Sequence, residues 1–178
     1  MRAPASAWIE VGYAGFARHG APGLRVEALA RQVGVSKSSF YHHFVDLEVF
    51  LDRLLDYHLE QVSVLAQREQ AARSIDPELI EILVAHKLDL LFNRQLRFNP
   101  APPKYQHALV AANQRVGDAF VRLWATELGP RLSHAQLESL FELALENFFL
   151  RIHEENLTHA WLAAYFRNLH RIALQLSR

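Results

Sequence analysis

Apolar residues recur at three- and four-residue intervals along almost the whole chain, and the alternation of a β-strand is hard to find. Trp8, Ile9, Tyr13, Phe16 and Ala17 form a first helical stripe, which His19-Gly20 ends. Gly20 to Gly23, with Pro22, reads as a connector. Val26, Leu29, Ala30 and Val33 form a second stripe. Gly34 then suits a left-handed turn, and Ser36 begins a third, short helix.

Asp46 has the position of an N-cap, where a carboxylate accepts from a free N–H of the first turn. A long fourth helix follows through Leu47, Phe50, Leu51, Leu54, Leu55, His58, Leu59 and Val62. Asp76-Pro77 predicts the next start, with Pro at the first helical position. Leu79, Ile82, Leu83, His86, Leu90 and Leu91 continue that helix. Asn99-Pro100-Ala101-Pro102-Pro103 breaks the chain, because proline cannot donate to a helical ladder. A sixth helix is predicted from about Tyr105 to Leu128 and ends at Gly129-Pro130. Ser133 with Gln136 fits a capping box for a seventh. Asn156-Leu157-Thr158 separates it from an eighth, about Ala160 to Leu176. The fold class is therefore all-α: a small three-helix unit over residues 1–45, then a larger helical body over 46–178.

Composition narrows the function. The 19 basic and 19 acidic residues cancel, which argues against a polybasic tail or an acidic disordered segment. The charge is not evenly spread. Up to Val45, Arg2, Arg18, Arg25, Arg31 and Lys37 face only Glu10 and Glu27, and a local basic patch is enough to meet a nucleic acid. The absence of cysteine excludes disulfides and thiolate metal sites. No signal peptide is evident and no apolar run approaches the ~18 residues of a membrane span, so a cytoplasmic protein without membrane contact is expected.

The stretch Val26 to Phe44, VEALARQVGVSKSSFYHHF, carries the recognisable chemistry. Two short helices joined by a glycine turn form a helix-turn-helix. Burying Leu29, Val33, Val35, Phe40 and Phe44 against the first helix leaves Ser36, Lys37, Ser38, Ser39, Tyr41, His42 and His43 outward or at the edge. Their hydroxyls, phenol, imidazoles and ammonium can donate to phosphate oxygens, and Lys37 or a serine can meet base edges in a major groove. On these residues alone, a small helical subdomain with an ordinary polar surface is the alternative.

The order of residues adds a resemblance. From about Trp8 to Leu55 the chain resembles the tetracycline-repressor (TetR) family of transcriptional regulators. The resemblance is carried by Phe16-Ala17-Arg18-His19-Gly20, Leu29-Ala30, Gly34-Val35-Ser36 and Phe40-Tyr41-His42-His43-Phe44, spaced without gaps. It implies that Lys37 and Ser38 approach bases and that Ser39, Tyr41 and His43 meet phosphates. It places His42 on the sugar–phosphate backbone. Arg25 stands where a Thr or Ser commonly caps the second helix; it can keep a phosphate contact but not the cap. Leu47 replaces a common Lys and removes one expected phosphate contact. Gly12 and Gly15 sit in a first helix that normally carries Ala and Leu, at a cost of about 1 kcal/mol each.

One reader of this size binds weakly, and two on a dimer meet successive major grooves. The last two helices are apolar around much of their circumference, with Leu143, Leu150 and Ile172 adding to the stripes, so they must be buried on several sides. They either fill the body's own core or pack on a second copy. A homodimer through Leu137, Leu140, Phe141, Ala144, Leu145 and Phe148, with Trp161, Ala164, Tyr165 and Leu169, is the expectation. The resemblance implies the same four-helix interface and a small-molecule effector site in the body. Candidates for that site are Phe92, Phe98, Tyr105, His107, Phe120, Trp124 and Phe148, with Arg97 or Arg122 pairing an anionic group. The partners expected are thus double-stranded operator DNA, a second copy and an effector.

Enzymatic chemistry finds little support. Gly34-Val35-Ser36-Lys37-Ser38 lacks the second glycine of a nucleophile elbow. The ten histidines include no His-Glu-x-x-His, and the body helices carry no Glu-x-x-His pair. No catalytic residue, metal or cofactor is expected. The remaining rival is a helix-turn-helix whose reader serves protein contacts, kept open by Arg25 and Leu47.

Overall fold

The computed structural model describes residues 3–99, 102–116, 119–128 and 133–176, without the side chains of 119, 120, 127, 128, 134 and 176. Among these residues are nine α-helices and no strand. They are α1 (Ala5–His19), α2 (Val26–Val33), α3 (Leu47–Ala71), α4 (Ile80–Ala85), α5 (Lys87–Phe98), α6 (Pro103–Val116), α7 (Ala119–Leu128), α8 (His134–Arg151) and α9 (His159–Leu176).

The chain forms two compact units: residues 1–62 with 88–112, and residues 63–87 with 113–178. The position 45/46, read as a division between reader and body, falls inside the first unit.

Aromatic rings organise the first unit. Phe40 is fully buried and meets Trp8 edge-on at 5.3 Å and Phe50 at 5.2 Å, while Phe44 closes on Phe50 at 4.7 Å. Each such ring removed from water contributes about 1.5–3 kcal/mol. Gly12 finds its reason here: a Cβ at that position would overlap the Phe50 ring, so the glycine lets α3 approach α1. A second cluster forms around Phe92 of α5, with Phe16 at 4.4 Å and Tyr13 stacked at 4.6 Å. Tyr105 of α6 meets Phe16 edge-on at 5.6 Å. Lys104 ties α6 to α3 through Glu48 at 2.7 Å and Asp52 at 2.9 Å.

In the second unit, the Arg122 guanidinium of α7 donates to the carbonyls of Gln70 and Ala72, each at 3.1 Å. Ser133 and Gln136 form the expected capping box at the start of α8. Tyr165 of α9 donates at 2.7 Å to the Ala144 carbonyl of α8, and burial pushes its phenol up to about 12. Trp161 stacks on Tyr165 at 5.4 Å, and Arg151 covers both rings.

One helix boundary differs from the sequence reading, at His86. The start read at Asp76-Pro77 stands: Asp76 is extended (φ −113°, ψ 121°) and helical geometry follows it, while the Ser74 side chain accepts from Glu78 N–H. The helix read through Leu79 to Leu91 is divided at His86, whose backbone leaves helical geometry. The span read as one helix from Tyr105 to Leu128 is helical over Pro103–Val116 and Ala119–Leu128, and 117–118 lie outside the described residues. The expected breaks at Pro100-Ala101 and Gly129-Pro130 also lie outside them.

Candidate nucleic-acid interface

The reader is built by local rules. Gly34 adopts the left-handed conformation (φ 79°, ψ 29°), and its N–H and that of Val35 both return to the Ala30 carbonyl, which closes α2. Ser36 is extended and starts the expected third, short helix, which is a tight 3-10 turn over Lys37–His42. Phe40 anchors this turn in the aromatic core, and Asp46 caps α3 by accepting from Val49 N–H at 2.9 Å.

With Phe40 inward, Ser36, Lys37, Ser38, Tyr41, His42 and His43 are exposed, and Tyr41 keeps 57% of its surface. Ser36 and Ser38 share a hydroxyl hydrogen bond at 2.8 Å. His43 Nε2 lies 2.9 Å from the Ala3 carbonyl, so that nitrogen carries a hydrogen and donates. Arg25 occupies the N-cap position of α2, exposed and without a side-chain cap bond. These groups together offer hydroxyl, phenol, imidazole, guanidinium and ammonium donors on one short segment and its neighbour. This is the donor set for phosphate oxygens and for acceptors on base edges.

Ser39 departs from the outward placement expected of it. It is 6% exposed, and its hydroxyl has no hydrogen-bond partner among the described residues. Leu47, at the start of α3, is exposed beside Val45 and Val49.

Two features were not foreseen from the sequence. Lys37 Nζ lies 3.6 Å from Glu27 Oε1, an acidic partner within the basic surface. The Glu27 backbone N–H, and after it the Lys37 ammonium, hold this carboxyl below the usual range. Beneath the reader, Tyr13 of α1, His58 of α3 and Asp89 of α5 form a buried polar cluster. The apolar stripe around His58 hid its partner, which stands on another helix.

The effector candidates divide between the two units. Phe92 and Tyr105 are buried in the first, where Arg97 is half-buried and Phe98 and His107 are exposed. Trp124 and Phe148 are buried in the second, and Arg122 is engaged by backbone carbonyls. The side chain of Phe120 lies outside the described residues. Of the dimer candidates, Leu137, Ala144, Phe148, Tyr165 and Leu169 are buried within this chain, and Leu140, Phe141, Leu145 and Trp161 are partly so. Ala164 is exposed, and the large apolar side chains left in the open on these helices are Leu143, Leu150 and Ile172. No group of three or more His, Cys, Asp or Glu among the described residues is placed to hold a metal. None of the described helices is long and apolar enough to cross a membrane.

Residues 9–54 match the family described as bacterial regulatory proteins, tetR family. No curated protein matches the chain. The matched span begins within α1, contains the glycine turn, the 3-10 turn and the Phe40 anchor, and ends within the first half of α3. Through these residues the chain carries the N-terminal region of the tetR family of bacterial regulatory proteins, which supports a DNA-binding transcriptional regulator.

Proposed function

We propose that this regulator is a cytoplasmic repressor that binds operator duplex as a homodimer and leaves it when a small effector binds the helical body. The observation that carries the DNA side is the run of exposed donors Ser36, Lys37, Ser38, Tyr41, His42 and His43 on a turn fixed by buried Phe40. Lys37 and Ser38 are assigned to base edges. Arg25, Tyr41, His42 and His43 are assigned to the sugar–phosphate backbone. Ser36 stays with them as the hydroxyl that orients Ser38.

The dimer reading is supported by Leu143 (71% exposed) and Leu150 (61% exposed), one heptad apart on α8, with Ile172 exposed on α9. Two apolar residues in that register form a seam that a second copy can cover. The effector reading rests on the family. An effector would act by preferring one packing of the body and shifting the readers through α3, and it can do so only by its differential affinity for the two states.

A second reading uses the reader for protein contacts. Exposed Val45, Leu47 and Val49 beside Tyr41 favour it. Binding to random duplex DNA across a salt series separates the two. A steep fall of affinity with salt supports the regulator, and salt-independent or undetectable binding supports the protein contact.

A further inference from the structure

We propose that Glu27 and Lys37 act as one unit that reads a single G·C base pair in the major groove of each half-site. The inference rests on the reader surface being the DNA interface. Glu27 lies in the first turn of α2 and Lys37 opens the 3-10 turn, so their 3.6 Å contact bridges the two elements of the helix-turn-helix. Both side chains remain about two-thirds exposed, at 69% for Glu27 and 65% for Lys37.

A carboxylate on this surface is out of place for phosphate binding. It repels the backbone and occupies an ammonium that would otherwise meet a phosphate. It becomes favourable only opposite a hydrogen-bond donor, and on the major-groove edge the donors are the amino groups of cytosine N4 and adenine N6. Lys37 has the opposite requirement: an ammonium has three donors and no acceptor, so it seeks guanine O6 and N7. In a G·C pair these acceptors lie on one side of the edge, with the cytosine amino group beside them. An ammonium next to a carboxylate complements that edge. An A·T pair sets its donor between two acceptors and adds a thymine methyl, which would crowd and desolvate the charged pair.

The pair also lowers affinity for wrong sequences. Off-site, Lys37 must leave Glu27 for a phosphate while Glu27 gains nothing, so specificity rises at some expense of general affinity.

The test is selection from random duplexes with the wild-type protein and with Glu27→Gln, which keeps the size of the side chain and removes its charge. The wild-type sites should share a G·C pair at one fixed position of each half-site. With Glu27→Gln, preference at that position should fall about tenfold while other positions keep theirs, and affinity for random duplex should rise. Identical preference at every position in the two proteins overturns the inference. A wild-type protein that retains no duplex overturns the reading of the surface on which the inference stands.

Discussion

Tyr13 of α1 donates a 2.6 Å hydrogen bond to Asp89 of α5, 76 residues away in sequence. The phenol has one hydrogen, and Asp89 takes it. His58 Nδ1, 2.9 Å from the same oxygen, must therefore be the donor of the second bond. This fixes the Nδ1–H tautomer and leaves Nε2 bare, without a partner among the described residues. Phe92 seals the cluster, stacking on His58 at 4.4 Å and on Tyr13 at 4.6 Å. Three helices of the reader-bearing unit are thus joined through one hydroxyl. Tyr13→Phe keeps the ring and removes that hydroxyl, so it should destabilise the protein by about 1–3 kcal/mol. Urea denaturation checks the value, and an unchanged midpoint would show that the cluster contributes nothing.

Two buried titratable groups give the stability opposite pH slopes. Burial lowers His58 from 6.5 to about 3, so it stays neutral when folded and protonates on unfolding. Its contribution is complete above about pH 6.5 and is lost as pH falls toward 3. Burial raises Glu69 from 4.5 to about 8, so its contribution is complete below pH 4.5 and is lost as pH rises toward 8. Glu69→Gln removes the second slope. Its melting temperature should exceed the wild-type value by a margin that widens from pH 5 to pH 8. A margin that stays constant or narrows across that range would contradict the assignment.

Gly12 and Gly15 look equivalent in the sequence and should respond differently to alanine. At Gly12 a Cβ meets the Phe50 ring, which Phe40 and Phe44 hold in place. Overpacking of about 1–3 kcal/mol should outweigh the roughly 1 kcal/mol gained in helix propensity. At Gly15 the nearest atom is the Gly23 carbonyl oxygen at 3.4 Å, an ordinary contact. Thermal melts should show Gly12→Ala destabilised and Gly15→Ala level with the parent or slightly above it.

The proposed partner seam predicts that Leu143→Asp with Leu150→Asp yields a folded monomer. Both side chains are exposed, so charging them spares the chain's own core. Sedimentation velocity at micromolar protein checks this. A double variant that still sediments as a dimer would place the interface elsewhere.

What the sequence revealed was local. The Gly34 turn, the Asp46 cap and the Ser133–Gln136 box each depend on residues within a few positions of one another, and each stands where the pattern put it. The reader is local in the same way: Phe40 is buried while Lys37 and Tyr41, within three residues of it, are exposed. Pairings between distant segments were hidden: nothing near Tyr13 names Asp89, and nothing in α2 names Lys37 as the partner of Glu27. Periodicity also failed where it was degenerate. α8 is apolar around much of its circumference, so the pattern could not separate buried Ala144 and Phe148 from exposed Leu143 and Leu150. The division at His86 carries neither glycine nor proline and left no mark in the sequence.

The proposed DNA contact lies on the surface around Lys37 and Tyr41. Its most direct test is a titration of one selected duplex with the wild-type, Lys37→Ala and Tyr41→Ala proteins over a range of salt. Each variant should lose about tenfold or more in affinity, and the loss of a phosphate contact at Tyr41 should appear equally on selected and random sequences. Affinity unchanged in both variants would show that duplex DNA does not meet this surface.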